Sequence, residues 1–186
     1  MKGSAMEDSG NTGRPPAGEV VVRDGTRPGD LGAVAALHGT LYTAEYGMDT
    51  TMEAYVAVGL AELVMAWHEE GSYAAGRLWV AELDGRIVGA TGLTRAEDDW
   101  GQLRWVVLAA EARGRGVGRT LFERAMTEAR ARGYRGVHLW TVAGLDAAHH
   151  LYKSAGFRLT DSSPTRKWGV DAVEQRMELE FRSATP

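Results

Sequence analysis

Residues 106–125, VVLAAEARGRGVGRTLFERA, read as a strand, a glycine-rich turn and an amphipathic helix in direct succession. Gly114, Gly116 and Gly118 remove side chains where the backbone must turn sharply or come close to a ligand. The helix that follows offers N–H groups with no intrahelical acceptor and the positive end of its dipole. A pyrophosphate is the natural guest, and Arg113, Arg115 and Arg119 add planar donors suited to its oxygens. Spacing separates the phosphate-binding motifs. The turn lacks the Gly-Lys-Ser/Thr end of a nucleotide-hydrolysing loop, and Arg119 stands where a dinucleotide fingerprint needs its third glycine. What it does match is R-x-x-G-x-G, as Arg113, Gly116 and Gly118. A glycine-rich loop with a purely structural role remains open at this point.

Around that segment the pattern predicts a mixed α/β sheet covered by helices. EVVVRD (19–24) reads as a strand, with Asp30 available to cap a helix that Gly47 stops. A second helix fits Thr51 to Glu70, ended by Gly71. Leu78–Leu83 and Arg86–Thr94 flank Asp84-Gly85, whose tolerance of positive φ signals a tight hairpin. Gln102–Ala109 forms the next strand, and Val117, Leu121, Phe122, Ala125, Met126 and Ala129 make one apolar helical stripe ending at Gly133. GVHLWTV is a buried strand, Asp146 opens a short helix through Ala155, and Phe157–Thr160 and Val173–Phe181 close the order as strands.

With 186 residues and 44% apolar content the chain fits one domain, taken as 19–182. Met1 to Gly18, almost empty of core formers, reads as a disordered lead-in or tag remnant, and 183–186 as a tail. The absence of cysteine excludes disulfides, a thiol nucleophile and thiolate metal sites. No apolar run reaches the roughly 20 residues that span a bilayer, so a cytoplasmic protein without membrane contact is expected. Histidines and carboxylates never meet at ligand spacing, so no metal is expected. Between Ala36 and Asp99 eleven acids face three arginines, whereas between Arg104 and Arg135 eight arginines face three glutamates. That segregation suggests a cationic amine on one side and an anionic ligand on the other. An acidic chain without an extended basic face argues against nucleic acid.

The turn, together with AHHLYKSAGF at 148–157, resembles the GNAT superfamily of N-acyltransferases, and within it the domains found alone or beside MarR-type regulators. The resemblance spans about Val20 to Phe181 and implies an α/β (α+β) fold. Its mixed, mostly antiparallel central sheet would be flanked by helices and splayed between Gln102–Ala109 and Val137–Val142. In that gap the backbone of Val106, Val107 and Leu108 would pair with the pantetheine arm of acetyl-CoA. The run Arg113, Gly114, Arg115, Gly116, Val117, Gly118 and Arg119 would cradle its pyrophosphate. Tyr152 matches the tyrosine that protonates the leaving thiolate, although it also reads as a core aromatic beside Ala148 and Ala155. Leu145 replaces an asparagine often found before it, and Gln102 stands where the family commonly places a glutamate base.

The base must then come from elsewhere or from solvent. His38, Tyr42 and Glu45 recur at i, i+4 and i+7 on the first helix, and Glu45 followed by Tyr46 is the first candidate pair. His38 reads equally as a satisfied buried histidine. Trp79, Trp105 and Trp140 are expected in the core, while Trp100 and Trp168 are available to line an acceptor pocket. The implied activity is an N-acetyltransferase moving an acetyl or short acyl group from acyl-CoA to a primary amine of a small molecule or peptide. A non-catalytic acyl-CoA sensor or interaction module is the alternative. A homodimer is compatible with the resemblance.

Overall fold

The computed structural model describes residues 18–181. The lead-in, apart from Gly18, and the tail therefore lie outside the described residues. Along the chain run β1 (Val20–Asp24), α1 (Asp30–Tyr46), α2 (Thr50–Glu70), β2 (Gly76–Leu83), β3 (Arg86–Arg95) and β4 (Trp100–Leu108). A 3-10 turn at Ala110–Ala112 leads into α3 (Val117–Ala131), followed by β5 (Gly136–Val142), α4 (Asp146–Ser154), β6 (Arg158–Lys167) and β7 (Val170–Glu180). The strands form one sheet in the order β1-β2-β3-β4-β5-β7-β6. Every neighbouring pair is antiparallel except β4 with β5. This is the mixed sheet expected from the element order, with the mostly antiparallel pairing that the family resemblance implies.

Helices cover both faces. On one, α1 and α2 bury Val34, Met52, Val56, Leu60 and Leu63 against Leu78, Val80, Ala90, Trp105 and Val107. On the other, the α3 stripe and Tyr152 of α4 pack on Trp79, Val88, Leu93, Leu103, Val137 and Leu139. The helix stops follow the sequence, since Gly47 and Gly71 adopt the left-handed conformation that few other residues tolerate.

The helix starts do not all follow it. Asp30 is the first residue of α1 rather than its cap, because Arg23 takes its carboxylate with two bonds of 2.7 and 2.8 Å and the Arg27 N–H with a third of 2.8 Å. Likewise Leu145, not Asp146, precedes α4. The last hairpin is longer than expected: β6 continues through TDSSPTRK to Lys167. That segment carries no hydrophobic alternation because it is an exposed edge strand paired only with β7, a setting that also accommodates Pro164.

One irregularity positions everything that follows. Trp105 has φ 52, a strained value for a bulky residue, and the β3–β4 register jumps there. Arg104 pairs with Gly92 and Val107 with Ala90, so Trp105 and Val106 together oppose Thr91, which defines a β-bulge. Pairing of β4 with β5 runs from Trp100↔Gly136 to Leu103↔Leu139 and stops one residue before the bulge. Beyond it, β5 pairs only with β7, and the two strands part.

Candidate active site

The gap opened by that parting continues into a cleft. Its walls are His38 and Tyr42 of α1, Met52, Tyr55 and Val56 of α2, Ala148 and Tyr152 of α4, and Trp168 in the β6–β7 turn. Gln102, Arg104 and Val106 reach it from β4, and Trp140 and Thr141 from β5. The β6–β7 turn is tied to the start of α2: the Asp49 N–H donates to the Trp168 carbonyl at 2.8 Å, and the Trp168 ring meets Tyr55 edge-on at 5.9 Å. Trp168 thus closes one side of the mouth.

Tyr152 is 4% exposed, its ring packed on Phe157 and Phe122 at 5.9 and 6.3 Å. Burial pushes its phenol well above the ordinary tyrosine range, and the neighbouring Tyr42 adds to the shift. Tyr152 is both the core aromatic and a cleft residue, so the two sequence readings are not exclusive. A phenol held neutral in this way is a proton donor throughout the physiological range. Burial likewise raises the Tyr42 phenol to about 12, helped by Tyr46 and Glu45.

His38 is also buried, and its Nδ1–H donates to the Val34 carbonyl at 2.9 Å, which leaves Nε2 as an acceptor. Burial lowers its pKa to about 4, so the ring is neutral near pH 7. It stacks on Tyr42, with centroids 5.8 Å apart.

Glu45 departs from the expected acceptor-side position. Its carboxylate receives bonds of 2.7 and 3.0 Å from Arg113, whose Nε also donates to the Leu108 carbonyl at 3.1 Å. Neither Glu45 nor Tyr46 lines the cleft. The reason is length: two helical turns advance about 10 Å, so a residue on the His38 face two turns later meets the glycine-rich turn instead. The acidic excess expected to form the acceptor wall is absent from the lining too. None of the eleven acids between Ala36 and Asp99 borders the cleft, where the charged residues are Arg104 and Glu174.

At the glycine-rich turn, Gly114 and Gly116 have φ of 73 and 77, and a Cβ on either would meet nothing within 4 Å. Glycine is required there by conformation rather than by crowding. Gly116 caps α3, and the first intrahelical bond is from Thr120 to its carbonyl, so the N–H groups of Val117, Gly118 and Arg119 are unclaimed by the helix. Among the described residues, Arg115 donates to the Gly18 carbonyl at 3.2 Å. Val107 and Leu108 stand on β4 between this turn and the bulge.

Trp140 and Arg104 line the cleft although the sequence marks neither as a site residue. Trp140, expected in the core, is 45% exposed and lines the cleft, because parting of β4 from β5 uncovers its face. Trp100 does not line the cleft but stacks on His138 at 6.4 Å, while Trp168 does line it. Arg104 carried no signal beyond its charge, since a lone arginine within an apolar strand run announces no site.

A parted pair of parallel strands, unclaimed N–H groups at the next helix N-terminus and a buried phenol on the cleft wall are the arrangement that an acyl-CoA-dependent transferase needs. Comparison with known proteins agrees: residues 42–157 match the acetyltransferase (GNAT) family. The chain belongs to that family and is an acetyl-CoA-dependent N-acetyltransferase. It is 33% identical over 124 residues to the uncharacterized N-acetyltransferase YjgM of Escherichia coli, covering 64% of this chain and 71% of that protein. The L-amino acid N-acyltransferase MnaT of Escherichia coli is 30% identical over 171 residues, 84% of this chain and 93% of that one. N-acetylaspartate synthetase of Danio rerio is 40% identical over 81 residues, 43% of this chain and only 29% of that protein's length. In fold, the chain is similar to a ribosomal-protein-alanine N-acetyltransferase from Brucella melitensis, with TM-score 0.66, 23% identity, and coverage of 87% of this chain and 99% of that one.

Proposed function

We propose that the protein transfers the acetyl group of acetyl-CoA directly to the primary amine of a small molecule, an amino acid in the first place. The parting of β4 from β5 just before Trp105, with Tyr152 on the wall of the resulting cleft, carries this reading. In it, Val106, Val107 and Leu108 pair with the pantetheine amides, and an N–H at Val107 or Leu108 holds the thioester carbonyl. Arg113 to Arg119 take the pyrophosphate. The names of two relatives, an L-amino acid N-acyltransferase and an N-acetylaspartate synthetase, support an amino-acid acceptor.

The ammonium first loses a proton to water that Gln102 and the His38 Nε2 are available to orient. The amine then attacks the carbonyl, forming the C–N bond as the C–S bond breaks. The nitrogen's second proton leaves to solvent, and Tyr152 protonates the departing sulfur and is reprotonated from water. No covalent enzyme intermediate is needed.

The test is thiol release from acetyl-CoA across a panel of amines and amino acids. Tyr152→Phe is expected to lower kcat roughly ten- to a thousandfold, the range for one lost proton donor, while acetyl-CoA affinity stays near wild type. An unchanged kcat with chemistry rate-limiting would return Tyr152 to a packing role alone.

A further inference from the structure

The bulge at Trp105 has a second consequence, on the acceptor side. Along a regular strand neighbours face opposite ways, yet here Arg104 and Trp105 both turn toward α2. The Arg104 guanidinium lies 4.5 Å from the centre of the Trp105 ring, and both side chains press on Gly59 of α2. A Cβ at Gly59 would come within 2.5 Å of Arg104 Nη2 and 3.2 Å of Trp105 Cζ2. The glycine therefore makes room for a half-buried arginine placed along the cleft wall.

Among the described residues, that guanidinium has no carboxylate or carbonyl partner. Arg23 is claimed by Asp30 and Glu82, Arg113 by Glu45 and Arg132 by Glu128, whereas Arg119, Arg124, Arg135 and Arg158, which also have no carboxylate partner among the described residues, are exposed and lie off the cleft. Glu174, the other charged group on the cleft, is held by Lys167, with both oxygens at 2.8 Å. A partly desolvated guanidinium with open donors is a site for a planar anion. That anion is not the pyrophosphate. The cradle begins beyond Leu108, and four residues of strand already separate Leu108 from Arg104 by about 13 Å. The flanking surface is apolar and aromatic, from Met52, Tyr55, Val56 and Trp168.

We propose that Arg104 binds the carboxylate of the acceptor, so that the enzyme selects free α-amino acids with apolar or aromatic side chains over amines that lack the carboxylate. This rests on the transfer reading above and adds to it the residue that sets specificity. It also reverses the expectation of a purely cationic acceptor, because the acids that suggested one lie away from the cleft while an arginine lines it.

The experiment uses matched pairs differing only in the carboxylate: leucine against isopentylamine, phenylalanine against phenethylamine, methionine against 3-(methylthio)propylamine. With full-length enzyme and acetyl-CoA, kcat/KM is expected to be at least tenfold higher for the amino acid of each pair. Arg104→Met should bring that ratio to within about twofold of one, and Arg104→Lys should keep part of it, with the acetyl-CoA dissociation constant unmoved in both. A wild-type preference for the carboxylate-free amine overturns the proposal. So does a loss in Arg104→Met that falls equally on both members of each pair. If an arginine variant does not fold, the wild-type ratios decide by themselves. If acetyl-CoA binds but no amine releases thiol, the transfer reading fails. Arg104 is then judged by whether N-acetyl-leucine with CoA raises the melting temperature more than N-isopentylacetamide with CoA, an equal rise again overturning it.

Discussion

At the scale of single residues, Glu45 shows how periodicity places a side chain on a face without saying what that face meets. Its i+7 relation to His38 is real, but the partner two turns along is Arg113, so its influence is on the donor side of the site. A bound pyrophosphate would compete with Glu45 for that guanidinium. The two side chains are 30% and 45% exposed, and such pairs are worth at most about 1 kcal/mol, or roughly fivefold in affinity. Glu45→Gln is therefore expected to tighten acetyl-CoA binding by up to about fivefold and leave the amine KM unchanged, as measured by calorimetry and steady-state rates. A raised amine KM with unaltered acetyl-CoA affinity would return Glu45 to the acceptor side. His38 was legible as a buried histidine or an acceptor-side residue, and it is both buried and on the cleft.

Among the elements, the strand–turn–helix unit was the most legible, because each part has a local cause: an apolar strand, glycines at positive φ and a 3.6-residue stripe. Gly116 is the α3 cap in a left-handed conformation that a β-branched residue adopts only with strain. If the unclaimed N–H groups behind it hold a phosphate, acetyl-CoA at a hundred times its dissociation constant adds about 2.7 kcal/mol of stability. For a chain of this size that corresponds to a rise in Tm of roughly 5–10 °C. Gly116→Val should abolish most of the rise, and a full rise in a folded Gly116→Val protein would put the donor elsewhere. The final hairpin was poorly legible for the opposite reason. Its edge strand is exposed and polar, so it carries no burial pattern to read, although its turn delivers Trp168 to the cleft mouth.

For the molecule as a whole, several titratable groups make stability fall with acid. Burial holds His38 and His138 neutral with pKa values of about 4, below the unfolded value near 6.5, so the unfolded chain binds more protons between those limits. Stability is thus complete above about pH 6.5 and declines as pH falls through 4. Burial by itself would raise the Asp30 carboxyl, but its bonds from Arg23 and Arg27 outweigh burial and depress it. Asp30 therefore adds a further loss below the ordinary aspartate range. Urea unfolding at pH 7.5, 6 and 5 should show the first part of this decline, and His38→Gln should flatten it. A slope unchanged in His38→Gln would mean that His38 takes up its proton equally in the folded and unfolded states, so that burial does not depress its pKa. What the sequence by itself determined were features with local causes: element types and order, the glycine-rich turn, the helix stops, and the tyrosine in its Leu-Tyr…Gly-Phe frame. Only the tertiary structure decided which side chains share the cleft. A bulge turns Trp105 to the α2 side beside Arg104, the parting of β4 from β5 uncovers Trp140, and packing of α1 delivers Glu45 to Arg113. Each of these depends on contacts between residues tens of positions apart, which no local pattern records.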